Sequence, residues 1–340
     1  MRIGIDVMGG DLAPDPILEG ALAATTQLDL DDVVVLYGDE TVIREGIANT
    51  TLGEAQVEVV GTTQTISMDE SPVDAVRSKQ DSSLVVMCKN GSQKAENPLD
   101  AVISAGNTGA FVAGSQMYLR RLSGVHRPGI AAAVPTFAGT VAFIDVGANI
   151  EPKPIHLAQY GVMGKVYAKR ILGIDNPRVA LMNVGGEEQK GTEGLKQVRD
   201  ILRAAPDINF AGYIEGRTLF DGGADVVITD GIVGNVSIKL AEGLATGLLT
   251  KIARDVAAAD PKLAEAFKPI MKKFYADYDY HEYGGAPLLG VNGISMICHG
   301  SSEARTITNA IMRVKQFATA GVNQHIVEQL ATIEEEVSVA

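Results

Sequence analysis

The chain has 340 residues, of which 46% are hydrophobic and 21% charged, with 37 Gly, 13 Pro, 2 Cys and no Trp. That hydrophobic share excludes intrinsic disorder, and two cysteines exclude a disulfide scaffold or a four-cysteine zinc site. Forty-two acidic against 29 basic residues leave a formal net charge of −13, which opposes attraction to nucleic acid phosphates, so no nucleic acid partner is expected.

The opening Met1 to Asp6 carries no basic-then-apolar leader, and a cytoplasmic protein is expected. Apolar runs then recur at Ile3 to Val7, Val33 to Leu36, Val57 to Val60, Leu84 to Met87, Ala101 to Ile103, Val141 to Ile144, Val179 to Met182, Val226 to Ile228 and Ile294 to Cys298. Most are continuous rather than alternating, which predicts strands buried on both faces. Helix-length segments separate them, among them Pro16 to Thr26 and Gly194 to Ala204. The uncharged stretch from Ala101 to Leu119 contains Ser104, Asn107, Thr108, Ser115 and Gln116, and so reads as strand, loop and helix rather than a membrane span. From Val236 to about Ala276 strand-like runs cease and long helices are expected. A last helical stretch runs from Ser302 to about Glu336, interrupted near Gly321. The class is α/β with a mostly parallel sheet, in a single domain over residues 1–340 with a helical excursion at about 236–283.

Six strand ends share one grammar. Small, polar or flexible residues follow at Asp6 to Asp11, Ser104 to Gly109, Asp145 to Asn149, Asn183 to Gly191, Asp230 to Asn235 and His299 to Ser302. In a parallel sheet all six are expected to open onto one edge, where glycines allow close backbone approach and Ser, Thr and Asn offer neutral donors to an anion. Standard motifs are absent: no G-x-G pair exists, Gly185 to Thr192 lacks the ending of a P-loop, and there is no G-x-S-x-G or H-E-x-x-H. No cofactor and no metal are expected, and Cys88 and Cys298 read as core residues.

These loops, together with Gly284-Gly285-Ala286-Pro287-Leu288-Leu289-Gly290-Val291-Asn292-Gly293, resemble the bacterial phosphate acyltransferase (PlsX) family across nearly the whole chain. The resemblance implies a three-layer α/β/α sandwich related to phosphotransacetylases, working as a homodimer. It implies transfer of a long-chain fatty acyl group from acyl carrier protein to inorganic phosphate, yielding acyl phosphate for phospholipid synthesis. It also implies peripheral contact with the membrane, where an integral glycerol-3-phosphate acyltransferase uses the product.

That reaction needs phosphate held beside a thioester carbonyl and a stabilised oxyanion. Phosphate already carries nucleophilic oxygens, so direct attack needs no acyl-enzyme. Gly9, Gly10, Ser104, Asn107 and Thr108 are candidate phosphate ligands, with positive charge from Lys190. Asn149, Asn183 and Asn235 are candidate amide donors to phosphate or oxyanion, and Asp230 or His299 is a candidate for the thiol proton. Leu263, Phe267, Ile270, Met271 and Phe274 form an apolar stripe at helical spacing, flanked by Lys262, Lys268, Lys272 and Lys273, that suits a lipid surface; a break is expected at Pro269. Arg120, Arg121 and Arg127 form a second basic cluster for the carrier protein. Two other readings stay open: a short-chain acyl-CoA phosphotransacetylase, and a non-catalytic acyl-binding scaffold.

Overall fold

A computed structural model describes residues 1–205, 207–277 and 284–337. In chain order the elements are β1 (Arg2–Asp6), α1 (Asp15–Ala24), β2 (Val33–Gly38), α2 (Glu40–Ala48), β3 (Gln56–Gly61), α3 (Pro72–Ser78), α4 (Ser83–Asn90), β4 (Ala101–Ser104) and α5 (Thr108–Gly114). A π-helical turn then leads to β5 (Gly129–Thr136), β6 (Gly139–Ile144), α6 (Pro154–Arg170), β7 (Val179–Met182), α7 (Glu193–Ala204) and β8 (Phe210–Ile214). After a 3-10 turn come β9 (Val226–Ile228), α8 (Gly231–Ala259), α9 (Pro261–Asp277), β10 (Ala286–Leu289), β11 (Ile294–Ile297), α10 (Ala304–Thr319) and α11 (Val322–Val337).

All eleven strands join one sheet in the order β3-β2-β1-β4-β11-β10-β5-β6-β9-β7-β8. Its pairings are parallel except those of β10 with β11, β10 with β5 and β5 with β6. One face packs on α1, α10, α6, α7 and α11 through a single core that includes Ile3, Ile5, Ile144, Tyr160, Val226 and Ile311. The other face divides in two. Beside β1, β2 and β4 it is covered by α3, α4 and α5 around Tyr37, Val76, Met87 and Phe111. Beside β6, β7 and β9 it carries a smaller cluster around Phe143, Ala180 and Val227, against which Ile238 of α8 packs. The result is the three-layer α/β/α arrangement.

The run Leu84 to Met87, read as a strand, is helix α4. Ser82 caps it by accepting from Val85 N–H, and Leu84, Val85, Met87 and Cys88 are buried. A short apolar run that is buried all round has no period to separate strand from helix. Three strands were not anticipated: the apolar run of β5, Ile130 to Val134, is mostly alanine, β8 is interrupted by Gly212, and β10 contains Pro287.

Those strands reverse the sheet. Because β11, β10, β5 and β6 alternate in direction, β6, β9, β7 and β8 run opposite to β1 to β4 and β11. The six loops therefore do not share an edge. They form two trios facing opposite ways: the loops after β1, β4 and β11, and the loops after β6, β7 and β9.

The helical excursion is the pair α8 and α9; positions 278–283 lie outside the described residues. Pro269 sits inside α9 without dividing it, so the expected break is not found. Helix α8 is long and apolar enough, by length and composition, to cross a membrane, and 6% of its most apolar stretch is buried.

Candidate functional site

The trio after β6, β7 and β9 is built around Asp145. Its buried carboxylate accepts N–H bonds from Ile130 at 3.0 Å, Gly147 at 3.2 Å, Ala148 at 3.0 Å and Asn149 at 2.7 Å. The Asn149 side-chain amide also reaches it at 3.0 Å and donates to Pro128 O at 2.7 Å. Burial pushes the Asp145 carboxyl up, and these N–H bonds oppose the rise. One buried carboxylate thus fixes the whole loop.

Helix α8 begins against this loop. Asp230 caps it, accepting from Ile232 N–H and Val233 N–H, both at 2.9 Å. Gly231 N–H donates to Asn149 O at 2.7 Å, and Asn235 Nδ2 donates to Val146 O at 3.2 Å. The spacing of Gly231 and Gly234 permits the approach: a Cβ at Gly234 would stand 1.8 Å from Asp145 O. Gly147, at φ +141°, lies so close to Asn235 that an added Cβ would be 3.0 Å from its Nδ2.

Asn183 ends β7, two strands from Asp145. Its Oδ1 accepts Val184 N–H at 2.9 Å, while its Nδ2 is buried with no hydrogen-bond partner among the described residues. Gly191, at φ +87°, turns the loop back over that amide. Lys190 lies on the same loop, its side chain half-exposed and its ammonium 4.0 Å from Glu187. A buried polar group without a partner is uncommon, and here it adds a donor on the loop that also carries a cation. Asn149, Asn183, Lys190, Asp230 and Asn235 therefore follow three neighbouring strands of one edge.

The other trio is also tightly built. Asp6 is buried and accepts from Ser83 Oγ at 2.6 Å and Ser104 Oγ at 2.7 Å; burial pushes its carboxyl up, against those bonds. Ser104 Oγ accepts Gly106 N–H at 3.0 Å, and Asp11 N–H donates to Gly300 O at 2.7 Å. Gly9 and Gly10 let the three loops meet: added Cβ atoms would fall 2.9 Å from Gly106 N and 3.2 Å from Gly300 O. Asn107 caps α5 through Ala110 N–H at 3.0 Å, and its Nδ2 faces the carbonyls of Ser67, Met68 and Glu70 at 3.1 to 3.2 Å. Thr108 is the first residue of that helix. His299 is exposed, with Nδ1 2.7 Å from Ser301 Oγ. Ser104 and Asn107 thus hold structural partners, and the structure separates Gly9, Gly10, Ser104, Asn107, Thr108 and His299 from the Lys190 edge. One link crosses between the trios: α8 carries half-buried Glu242 to within electrostatic reach of His299.

Cys88 and Cys298 are both buried, and burial pushes both thiols up, that of Cys298 to about 12, so neither is a thiolate at neutral pH. Among the described residues, no group of three or more His, Cys, Asp or Glu side chains is placed to hold a metal ion.

On α9, Leu263, Ile270 and Phe274 are exposed and Phe267 is half-buried, but Met271 is buried at 8% exposure and does not join their surface. Helix α8 adds a stripe that the sequence reading missed. Val236, Leu240, Leu244, Leu248 and Ile252, spaced by four, are all exposed.

The family of fatty acid synthesis proteins matches residues 1–325. Curated relatives named phosphate acyltransferase include that of Desulfitobacterium hafniense strain DCB-2, 45% identical over 97% of this chain and 98% of the relative. That of Trichlorobacter lovleyi is 41% identical over 97% and 95% respectively. Among solved structures, a phosphotransacetylase from Streptococcus pyogenes matches with a TM-score of 0.60 at 15% identity, covering 94% of each chain. The EutD phosphotransacetylase from Staphylococcus aureus matches at 0.56 and 16%, again over 94% of each. These two structures share the fold, and it is the near full-length relatives that place the chain in the phosphate acyltransferase family of acyltransferase enzymes.

Proposed function

We propose that the protein transfers a long-chain fatty acyl group from acyl carrier protein to inorganic phosphate, releasing acyl phosphate for phospholipid synthesis. The observation that carries this reading is the buried, unpartnered Nδ2 of Asn183 on the same loop as Lys190, at the edge that also holds Asn149 and Asn235. Lys190 supplies charge to phosphate, and the Asn183 amide donates to a phosphate oxygen or to the developing oxyanion. A phosphate oxygen attacks the thioester carbon, the tetrahedral intermediate collapses with cleavage of the C–S bond, and the thiolate takes up a proton. No activated serine or cysteine is required, in keeping with two buried thiols. Asp230, whose carboxylate is engaged in capping α8, and His299, on the opposite trio, are less well placed for that proton than the attacking phosphate itself, which carries one near neutral pH.

In this reading the protein is cytoplasmic and homodimeric. The α8 stripe pairs with a second copy, and Leu263, Phe267, Ile270 and Phe274 of α9 meet the membrane surface, from which acyl phosphate passes to an integral glycerol-3-phosphate acyltransferase. The exposure of those apolar residues supports it.

The test is phosphate-dependent consumption of a long-chain acyl-ACP, with acyl phosphate trapped as its hydroxamate and acetyl-CoA supplied in parallel. Acyl phosphate from acyl-ACP supports the proposal. Turnover confined to acetyl-CoA moves the protein to phosphotransacetylase chemistry, and turnover of neither donor leaves an acyl-binding scaffold.

A further inference from the structure

The trio around Asp145 is bordered by an unneutralised cationic face. Between Arg120 and His156 the chain has two carboxylates, buried Asp145 and exposed Glu151, against Arg120, Arg121, Arg127 and Lys153. Elsewhere cations are commonly paired, as in Arg2 with Glu58 at 2.7 Å and Arg178 with Asp225 at 2.9 Å. Arg121, Arg127 and Lys153 are exposed and form no ion pair with any described residue. The rings of His126 and His156 lie 6.1 Å apart among them, and burial together with Arg127, His126, Lys153 and Arg121 lowers the pKa of His156. On a chain of net charge −13, a local excess of this kind stands against the overall field.

The face is also rigid and placed. Arg121 Nη1 donates to His126 O at 2.5 Å, and His126 N–H donates to Gln159 Oε1 at 2.9 Å. Gln159 Nε2 in turn donates to Gly124 O at 2.8 Å. Leu122 N–H and Asn292 N–H tie the segment to the turn after β10. Pro128, next to Arg127, holds the Asn149 amide at 2.7 Å, which joins the face to the site loop. Ile150, 66% exposed, adds one apolar contact within the cationic rim.

We infer that the face of Arg121, His126, Arg127, Lys153 and His156 is the docking surface for the acidic carrier protein that delivers the acyl thioester. The inference rests on the proposed donor and adds where that donor binds. Cations around a small apolar centre suit a protein contact, whereas the broader apolar surface suited to lipid lies on α9. Unpaired cations steer an acidic partner and raise its association rate, a rim effect that appears in KM rather than in chemistry.

The test replaces Arg121, Arg127 and Lys153 by Glu together and measures turnover of acyl-ACP and of acyl-pantetheine, a neutral donor without a protein surface. Expected are a KM for acyl-ACP raised at least tenfold, kcat within twofold, loss of the salt dependence of kcat/KM, and unchanged turnover of acyl-pantetheine. Replacing the same arginines by Lys is expected to restore most of the lost affinity. An unchanged KM for acyl-ACP overturns the inference, as does loss of sedimentation with anionic vesicles in place of loss of carrier binding, which would assign the face to lipid. If the wild-type protein turns over acyl-CoA but rejects acyl-ACP, the donor reading fails first and this surface loses its occupant with it.

Discussion

Gly234 in the first turn of α8 meets the backbone of Asp145 so closely that an added Cβ would lie 1.8 Å from the Asp145 carbonyl oxygen. Neither backbone can yield, because Asp145 is locked by Ile130, Gly147, Ala148 and Asn149, and α8 is capped by Asp230. Gly234→Ala is therefore expected to cost about 3 kcal/mol, the upper range for overpacking, and to shift Asn235 from Val146. Thermal unfolding reads the first effect and turnover the second. A stability change below about 0.5 kcal/mol would mean that the contact is soft.

Asn183 allows stability and function to be separated. Its buried Nδ2 has no partner among the described residues, so removing it by Asn183→Leu forfeits only the bond from Val184 N–H. The expected stability change is below about 1 kcal/mol. If that amide binds phosphate or oxyanion, turnover falls by about 100-fold. Retained turnover would return Asn183 to a purely structural place.

Lys190 is half-exposed and, among the described residues, makes only a 4.0 Å ion pair with Glu187, so its removal should leave the fold within about 0.5 kcal/mol of wild type. Lys190→Ala is expected to raise the KM for phosphate and lower kcat together. Lys190→Arg should recover part of both. Near-normal phosphate kinetics for the alanine variant would remove Lys190 from the site.

Asp32 governs part of the acid stability. Burial alone would raise its carboxyl, but hydrogen bonds from Lys315, the chain's N-terminal ammonium and Asp29 N–H hold it at about 2, below the usual 3.8. A carboxylate depressed in the folded state adds stability that is full well above pH 3.8 and is lost as the pH falls toward 2. The amount is on the order of 2 kcal/mol. Lys315→Met should lower stability at neutral pH and flatten the acid limb of the unfolding curve, read by urea denaturation at several pH values.

The two helices of the excursion can be probed separately. Phe274 is 45% exposed and Met271 8%, so Phe274→Asp should abolish co-sedimentation with vesicles while leaving the unfolding temperature in place. Met271→Asp should do the reverse, because it buries a charge. Unchanged vesicle binding by Phe274→Asp would detach α9 from the lipid surface.

What the sequence made legible follows from what has a period. Continuous runs such as Val33 to Leu36 and Val226 to Ile228 announced parallel strands buried on both faces, because such strands need apolar residues at every position. Strands β5 and β10 escaped because the run of β5, Ile130 to Val134, is mostly alanine, which favours helix as readily as strand, and β10 holds Pro287, and with them went the reversal of the sheet. The candidate residues Asn149, Asn183, Lys190, Asp230 and Asn235 were visible as strand-end chemistry. Their separation from Gly9, Ser104 and His299 was not, since it depends on strand direction. The organising role of Asp145 was hidden for another reason: its partners are backbone N–H groups, which leave no trace in residue identity. The four-residue spacing of Val236, Leu240, Leu244, Leu248 and Ile252 marks one surface of a helix, but spacing alone does not distinguish a stripe packed on a core from the exposed one found here.

Helix α8 joins things usually kept on separate parts of an enzyme. Within Gly231–Ala259 it carries Asn235 at the candidate site edge, Glu242 within electrostatic reach of His299, and an exposed apolar row reaching Ile252. At 1.5 Å per residue, Ile252 stands about 25 Å along the axis from Asn235. A single unbroken helix therefore carries both the turn that holds the Asn235 amide against Val146 O and an apolar row that leaves the body of the protein, so one element belongs to the interior at its start and to the surface at its end.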